Sequence, residues 1–305
     1  MTPALWFVSA VAATLSVVAL LVHLVPAYRA FAARRFGHAV WLAMPRDELL
    51  VSVERRLSRR AVAGALGGLV ALPVVVAVLS LVEPPAPQDS DFAATFVLVG
   101  GYFAGIAVGS AVNALTEPRA AREASVNYAR AQAVELSDYV APLERQGARV
   151  AVALSVILGG VLSALVATVG DSRGSGGSGF PGTIIIVGLG LLSLVLFEVG
   201  SRSLLSRGRP ASSPTELAWD DALRASALRD LVTAPLALGT YGLLALGGEL
   251  ANGYGGATSV VGSAVLIAIV VAGFAALVFA TVSRPQRHYL RRLWPELAAT
   301  QDAGA

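Results

Sequence analysis

Val53–Val82, VERRLSRRAVAGALGGLVALPVVVAVLSLV, sets four arginines directly against 22 residues without a charge. As a helix rising 1.5 Å per residue, the uncharged part covers about 33 Å, enough to cross a hydrocarbon layer about 30 Å thick. Guanidinium groups are retained on the cytoplasmic side of such spans. The stretch therefore reads as a transmembrane helix entered from an arginine-bearing inner surface.

The same pattern recurs along the chain. It is 55% hydrophobic and 14% charged, against roughly 25% charged residues in a soluble domain. Apolar runs near 4–26, 61–82, 92–115, 150–170, 183–205, 231–250 and 259–282 predict an all-α polytopic transmembrane helix bundle of about seven spans. The sixth run carries Pro235, Gly239, Gly247 and Gly248, which lower its helix propensity and make it the weakest of the seven.

Arginine fixes the expected orientation, because the chain has no lysine. Of 23 basic residues, eight lie in 27–60, five in 116–149, five in 202–230 and four after 283, leaving only Arg173 for the opposite loops. This predicts an outer N-terminus and a cytoplasmic C-terminus, with cytoplasmic helical segments at 27–60, 116–149, 206–230 and 283–305. The first run has no basic residue before it and Arg29, Arg34 and Arg35 after it. That is the reverse of a signal peptide's charge order and predicts an uncleaved anchor. The expected location is the bacterial cytoplasmic membrane, as a multi-pass protein.

Several functions are excluded on residue type. With no cysteine, thiolate metal sites, disulfides and thiol nucleophiles are ruled out. Without lysine the chain supplies neither a Walker A loop nor a retinal Schiff base. His23, His38 and His288 have no metal-ligand spacing. The net charge of +3 follows from topology and anionic lipid contact, with no call for nucleic acid. Gly176–Gly179 spells GGSG, as in rhomboid-type proteases, but it sits in a glycine-rich outer linker with every histidine on the inner side. No catalytic motif, cofactor or metal site is expected.

The inner segments carry helix starts. Ser213, Pro214 and Glu216 form a capping box; Pro45, Asp47 and Glu48 open a second helix, and Pro142 with Glu144 and Pro295 with Glu296 open two more. Their recurrence hints at a repeated unit of inner helix plus two-span hairpin. Each segment is below the roughly 40 residues at which a core becomes hard to build, so no separate soluble domain is expected. Ala27–Met44 interleaves Tyr28, Phe31, Phe36 and Trp41 with arginines, the composition of a helix lying among lipid headgroups. The outer connections EPPAPQDSD (83–91) and DSRGSGGSGFPG (171–182) read as a stiff turn and a flexible linker.

Inside the membrane the most specific feature is Gly101, Gly105 and Gly109, with Asn113 continuing the face. Four-residue spacing of small side chains lets helices approach closely, and Gly64 and Gly68 offer a partner face; a homodimer seam is the alternative use. Glu198 falls about 22 Å along its span, near the inner end, with Arg202 four residues on as the expected partner. Glu198 and Asn113 are the candidate substrate or proton contacts.

Val134–Leu158, VELSDYVAPLERQGARVAVALSVIL, together with the arginine-only basic set, resembles uncharacterised multi-span integral membrane proteins of high-GC actinobacteria. The resemblance implies the membrane layout and no activity. Two functional classes follow from the residues. One is the membrane subunit of a transport or export system that relies on a separate cytoplasmic ATPase. The other is a non-catalytic scaffold or regulator that binds protein partners through its cytoplasmic helices.

Overall fold

Helix ends in this chain fall where backbone chemistry forces them. The computed structural model describes residues 3–44, 47–82, 91–116, 134–169, 180–206, 211, 213–253, 256–283 and 285–302. The connection 83–90, residues 117–133 and the linker 170–179 with its GGSG run lie outside the described residues. The helices are α1 (Pro3–Val22), α2 (Pro26–Val40), α3 (Asp47–Val82), α4 (Asp91–Thr116), α5 (Leu136–Tyr139), α6 (Pro142–Val169), α7 (Phe180–Leu205), α8 (Pro214–Gly253), α9 (Gly256–Ser283), α10 (His288–Leu293) and α11 (Pro295–Asp302), with a 3-10 turn at Pro285–Arg287. The first apolar run was expected to continue to 26, but α1 stops at Val22. Pro26 opens α2 and holds Val25 extended (φ −81°, ψ 118°), as a residue before proline prefers.

Six helices, α1, α3, α4, α6, α7 and α8, are long and apolar enough to cross a membrane, and α9 adds 28 residues with Val260–Gly273 as its apolar stretch. Large hydrophobic side chains line their outer faces: Val70, Leu81, Ile157, Val195, Val199 and Ile267 are all more than half exposed. A soluble protein does not leave that much apolar surface in water, whereas lipid tails accept it without cost. The chain is an integral membrane helix bundle.

Helices run unbroken through the boundary that the arginines mark, α3 and α8 among them. α3 passes unbroken from Arg55–Arg60 into its apolar half, and α8 does the same after Asp230. A continuous helix keeps every backbone N–H and C=O paired as it enters lipid, which a break at that level would not. Pro73 and Pro235 lie inside these helices without ending them.

The sixth span overturns its propensity. α8 is the central helix: 67% of its apolar window is buried, against 17% for the peripheral α1. It packs on α4, α6, α7 and α9. The glycines that weaken it in isolation are what its position needs. A Cβ on Gly239 would lie 2.8 Å from the Val152 backbone nitrogen of α6. Tertiary packing of a central helix outweighs the roughly 1 kcal/mol that each glycine costs.

α3 and α4 form the most extensive helix pair. Gly101, Gly105 and Gly109 face α3, as their spacing predicts. A Cβ on each would meet Val75 Cγ2 at 2.5 Å, Ala71 Cβ at 2.4 Å and the Ala63 carbonyl oxygen at 2.2 Å, respectively. The facing row is therefore Ala63, Gly67, Ala71 and Val75. Gly64 and Gly68 flank it: Cβ positions there meet Ile106 at 3.4 Å and Tyr102 at 2.8 Å. This face is filled within the chain by α3.

At the arginine-bearing end the short segments pool into one cap. Tyr139, Tyr289, Leu290, Leu228 and Val40 share a buried cluster, and Trp219, Val53 and Leu223 form another beside it. Each segment is too short for its own core, and what forms is a shared one. α2, α5, α10, α11 and the ends of α3 and α8 build it jointly. Its aromatic residues divide accordingly. Phe31 is exposed, while Phe36 packs 6.2 Å from the Trp219 ring. α2 ends on Trp41 in the left-handed conformation (φ 58°), a conformation normally filled by glycine. Arg287 holds it there, stacking 3.6 Å over the Trp41 ring while its Nε donates to the Ala39 carbonyl at 3.1 Å.

Candidate functional site

The residues Trp219–Asp230, WDDALRASALRD, occupy the cap half of α8 and reach four other parts of the chain. Ser213 caps the helix, accepting from the Glu216 N–H at 3.1 Å. Trp219 Nε1 donates to the Ala43 carbonyl at 3.2 Å. Asp220 accepts from Arg56 of α3 at 2.5 Å, and Asp230 accepts from Arg60 Nε at 2.6 Å. Arg229 forks onto Glu144 of α6, its Nε 2.9 Å and its Nη2 2.5 Å from Oε1. One helix face, with Asp220 and Asp230, thus pairs with α3, and another, with Arg229, pairs with α6.

Asp221 is the buried centre, 4% exposed. Its Oδ1 accepts from the Tyr139 hydroxyl at 2.8 Å and its Oδ2 from Trp294 Nε1 at 3.1 Å. One carboxylate thus ties α8 to α5 and to the α10–α11 junction. The sequence marks this run as the body of a capped cytoplasmic helix able to dock a partner, without singling out Asp221. The adjacent acids beside a tryptophan were the available signal, but their partners lie 82 and 73 residues away. Nearby, the Tyr289 hydroxyl is buried without a hydrogen-bond partner. Burial, and then the Asp221 carboxylate, push its ionisation well above the ordinary tyrosine range. The neutral form is thus favoured by folding, and that contribution fades as pH rises above about 10.

The two tyrosines should respond differently to loss of their hydroxyls. Tyr139→Phe removes a donor from a buried carboxylate and should cost about 1–3 kcal/mol. Tyr289→Phe removes a hydroxyl with no partner and should leave stability unchanged or slightly raised. Thermal unfolding of both variants in one detergent checks the contrast.

The candidate contacts Glu198 and Asn113 sit apart. Glu198 pairs with Arg149 of α6 and not with Arg202, as its spacing had led one to expect. Arg149 Nε donates to Glu198 Oε1 at 3.0 Å, and Nη2 reaches the same oxygen. The antiparallel α6 places Arg149 at the depth of Glu198, so a cross-helix pair forms in preference to one along α7. The side chains are 40% and 33% exposed, so the pair contributes no more than about 1 kcal/mol. Glu198→Gln should accordingly lower thermal stability only marginally.

Asn113 lines a small cleft of about 30 Å³ with Arg56, Arg60 and Arg224. Beside it, a groove of about 370 Å³ runs between α4 and α7 and is walled almost wholly by apolar side chains. The buried hydroxyls at this level turn back on their own helices: Ser110 bonds the Ala107 carbonyl, Ser193 that of Gly190 and Ser201 that of Glu198. They are thereby occupied locally. Ser16 instead pairs with the Tyr102 hydroxyl at 2.9 Å and ties α1 to α4. His288 Nε2 lies 2.9 Å from the Ser137 carbonyl. Among the described residues no group of three or more His, Asp or Glu side chains converges as a metal site would require. No family model, no curated protein and no solved structure matches this chain.

Proposed function

We propose that this protein is a non-catalytic membrane scaffold or regulator, anchored by its helix bundle and presenting the cap to protein partners in the cytoplasm. The observation that carries this reading is the cap itself. Short segments from distant parts of the chain share a core, and α8 is cross-linked to α3, α5, α6 and the α10–α11 junction by hydrogen bonds and ion pairs. Such rigidity is more than an anchor needs. It is what a preorganised docking surface requires, since ordering costs at binding are then already met. The arginine distribution supports the cytoplasmic side.

The narrower reading, a transport or export subunit served by a separate ATPase, draws on the cleft at Asn113. Glu198 does not add to it, because its carboxylate is engaged by Arg149. Purification in mild detergent, with identification of stoichiometric companions, separates the two. A partner that binds no nucleotide and is lost on Leu297→Asp, an exposed change on α11, supports the scaffold. A stoichiometric nucleotide-binding partner supports transport instead, and repeated purification of the chain alone from its native membrane would contradict both.

A further inference from the structure

Two rows of exposed side chains run from the lipid-facing surface into arginines. On α3, exposed Leu66 and Val70 are followed toward the cap by exposed Arg59 and Arg55, at steps that keep one helix face. α1 packs beside α3. There Leu21, and Leu24 of the corner after it, are more than half exposed; the row continues through Tyr28 and Phe31 of α2 and ends on exposed Arg34 and Arg35.

The contacts of α1 and α2 set their depth. Ser16 bonds the Tyr102 hydroxyl and the Tyr102 ring abuts Gly68, so Ser16 of α1 and Gly68 of α3 share a level. About 12 Å toward the cap from there, α3 reaches Arg60 and the other chain segment reaches Leu24. From Pro26 to Phe36 is about 15 Å of helix, yet Phe36 packs with Trp219, Val53 and Leu57, only about 5–10 Å beyond Arg60 along α3. α2 therefore runs obliquely along the membrane surface instead of straight away from it.

Charge decides what this face meets. Arg56, Arg60, Arg149 and Arg229 are all held by carboxylates. Arg34, Arg35, Arg55 and Arg59 make no hydrogen bond or ion pair among the described residues. α2 carries no acidic residue, and between Leu49 and Arg60 of α3 the only acid is the half-buried Glu54.

We propose that this face binds anionic phospholipid in the leaflet on the cap side. Tyr28 and Phe31 enter the boundary between headgroups and acyl chains, and the four arginines meet the phosphates around them. An acidic protein segment would match the arginines but not the apolar rows that lead to them. The proposal stands independently of any protein partner.

The full chain in nanodiscs tests it, with a polarity-sensitive fluorophore on His38→Cys, an exposed position beside Arg34 and Arg35. Exchange of part of the dioleoyl phosphatidylcholine for dioleoyl phosphatidylglycerol should shift the emission to the blue, and high salt should reverse the shift. Joint Arg34→Gln and Arg35→Gln should weaken the response about twentyfold, from about fivefold per basic group near a charged surface. Arg202→Gln, at the cap-side end of α7, should leave it intact. Equal emission in the two lipids overturns the proposal whether or not the variants fold, and so does a full response in a folded double variant. A shift caused by soluble polyglutamate in phosphatidylcholine discs, with none caused by phosphatidylglycerol, would assign the face to an acidic protein and overturns it too.

Discussion

Gly67→Ala should disable folding of the bundle although it adds a single methyl group. The new Cβ would lie 2.2 Å from the Gly105 carbonyl oxygen and 2.9 Å from the Gly109 Cα. Both obstacles are backbone, so no side-chain rotation relieves them and α3 must move away from α4. That separation breaks the contacts of Ala63, Ala71 and Val75 as well. The expected cost is about 3 kcal/mol or more, at or beyond the upper end for overpacked cores. It should be read as loss of monodisperse protein in detergent or a large fall in the thermal transition. Gly160 and Gly188 supply the control, because nothing lies within 4 Å of a Cβ at either. Gly188→Ala should be neutral or stabilising by about 0.5–1 kcal/mol, the helix-propensity difference. Equal behaviour of Gly67→Ala and Gly188→Ala would refute the α3–α4 packing.

Asp221→Ala should release the cap while leaving the membrane helices intact. The substitution strands the Tyr139 hydroxyl and the Trp294 indole N–H in a buried cluster, and each unsatisfied donor costs about 1–3 kcal/mol. The total of about 2–6 kcal/mol is large beside the few tenths to 1 kcal/mol of a typical ion pair. Limited proteolysis should then cut within the cap, around α5 and α10, with tryptophan emission shifting to the red as Trp219 and Trp294 meet water. Helical content in detergent should change little. By contrast, removal of the Arg292–Asp138 pair, 3.6 Å apart with Arg292 59% exposed, should leave proteolysis unaltered. Proteolytic resistance of Asp221→Ala equal to wild type would show that the buried carboxylate does not organise the cap.

The membrane architecture was legible because it rests on local sequence. Uncharged runs of 20 or more residues allow little but helices in lipid, and the small-residue row 101–105–109 announces close contact wherever it finds a partner. The matching row on α3 was not legible. Ala63, Gly64, Gly67, Gly68 and Ala71 are all small, so choosing Gly67 over its flanking glycines requires the rotation of the helix. α8 misled in the opposite direction. Propensity is measured on isolated helices, where Gly239 and Pro235 are defects, whereas beside Ala151 and Val152 a missing Cβ is the condition for contact. The cap was hidden because its core joins residues far apart in the chain: Asp221 finds Tyr139 and Trp294, and Arg287 finds Ala39, 248 residues away. Glu198 shows the same limit at the scale of one ion pair, where spacing offered Arg202 and the fold supplied Arg149.

The side of the membrane that carries the cap decides whether it can meet cytoplasmic partners. Because the chain has no cysteine, single cysteines can be placed without a background. Ser206→Cys lies at the exposed cap-side end of α7, and Ser178→Cys lies in the 171–182 linker expected on the opposite side. In intact cells a membrane-impermeant maleimide should label position 178 at once and position 206 only after permeabilisation. Labelling of position 206 in intact cells, with position 178 protected until the membrane is opened, would contradict the assignment of the arginine-rich cap to the cytoplasm.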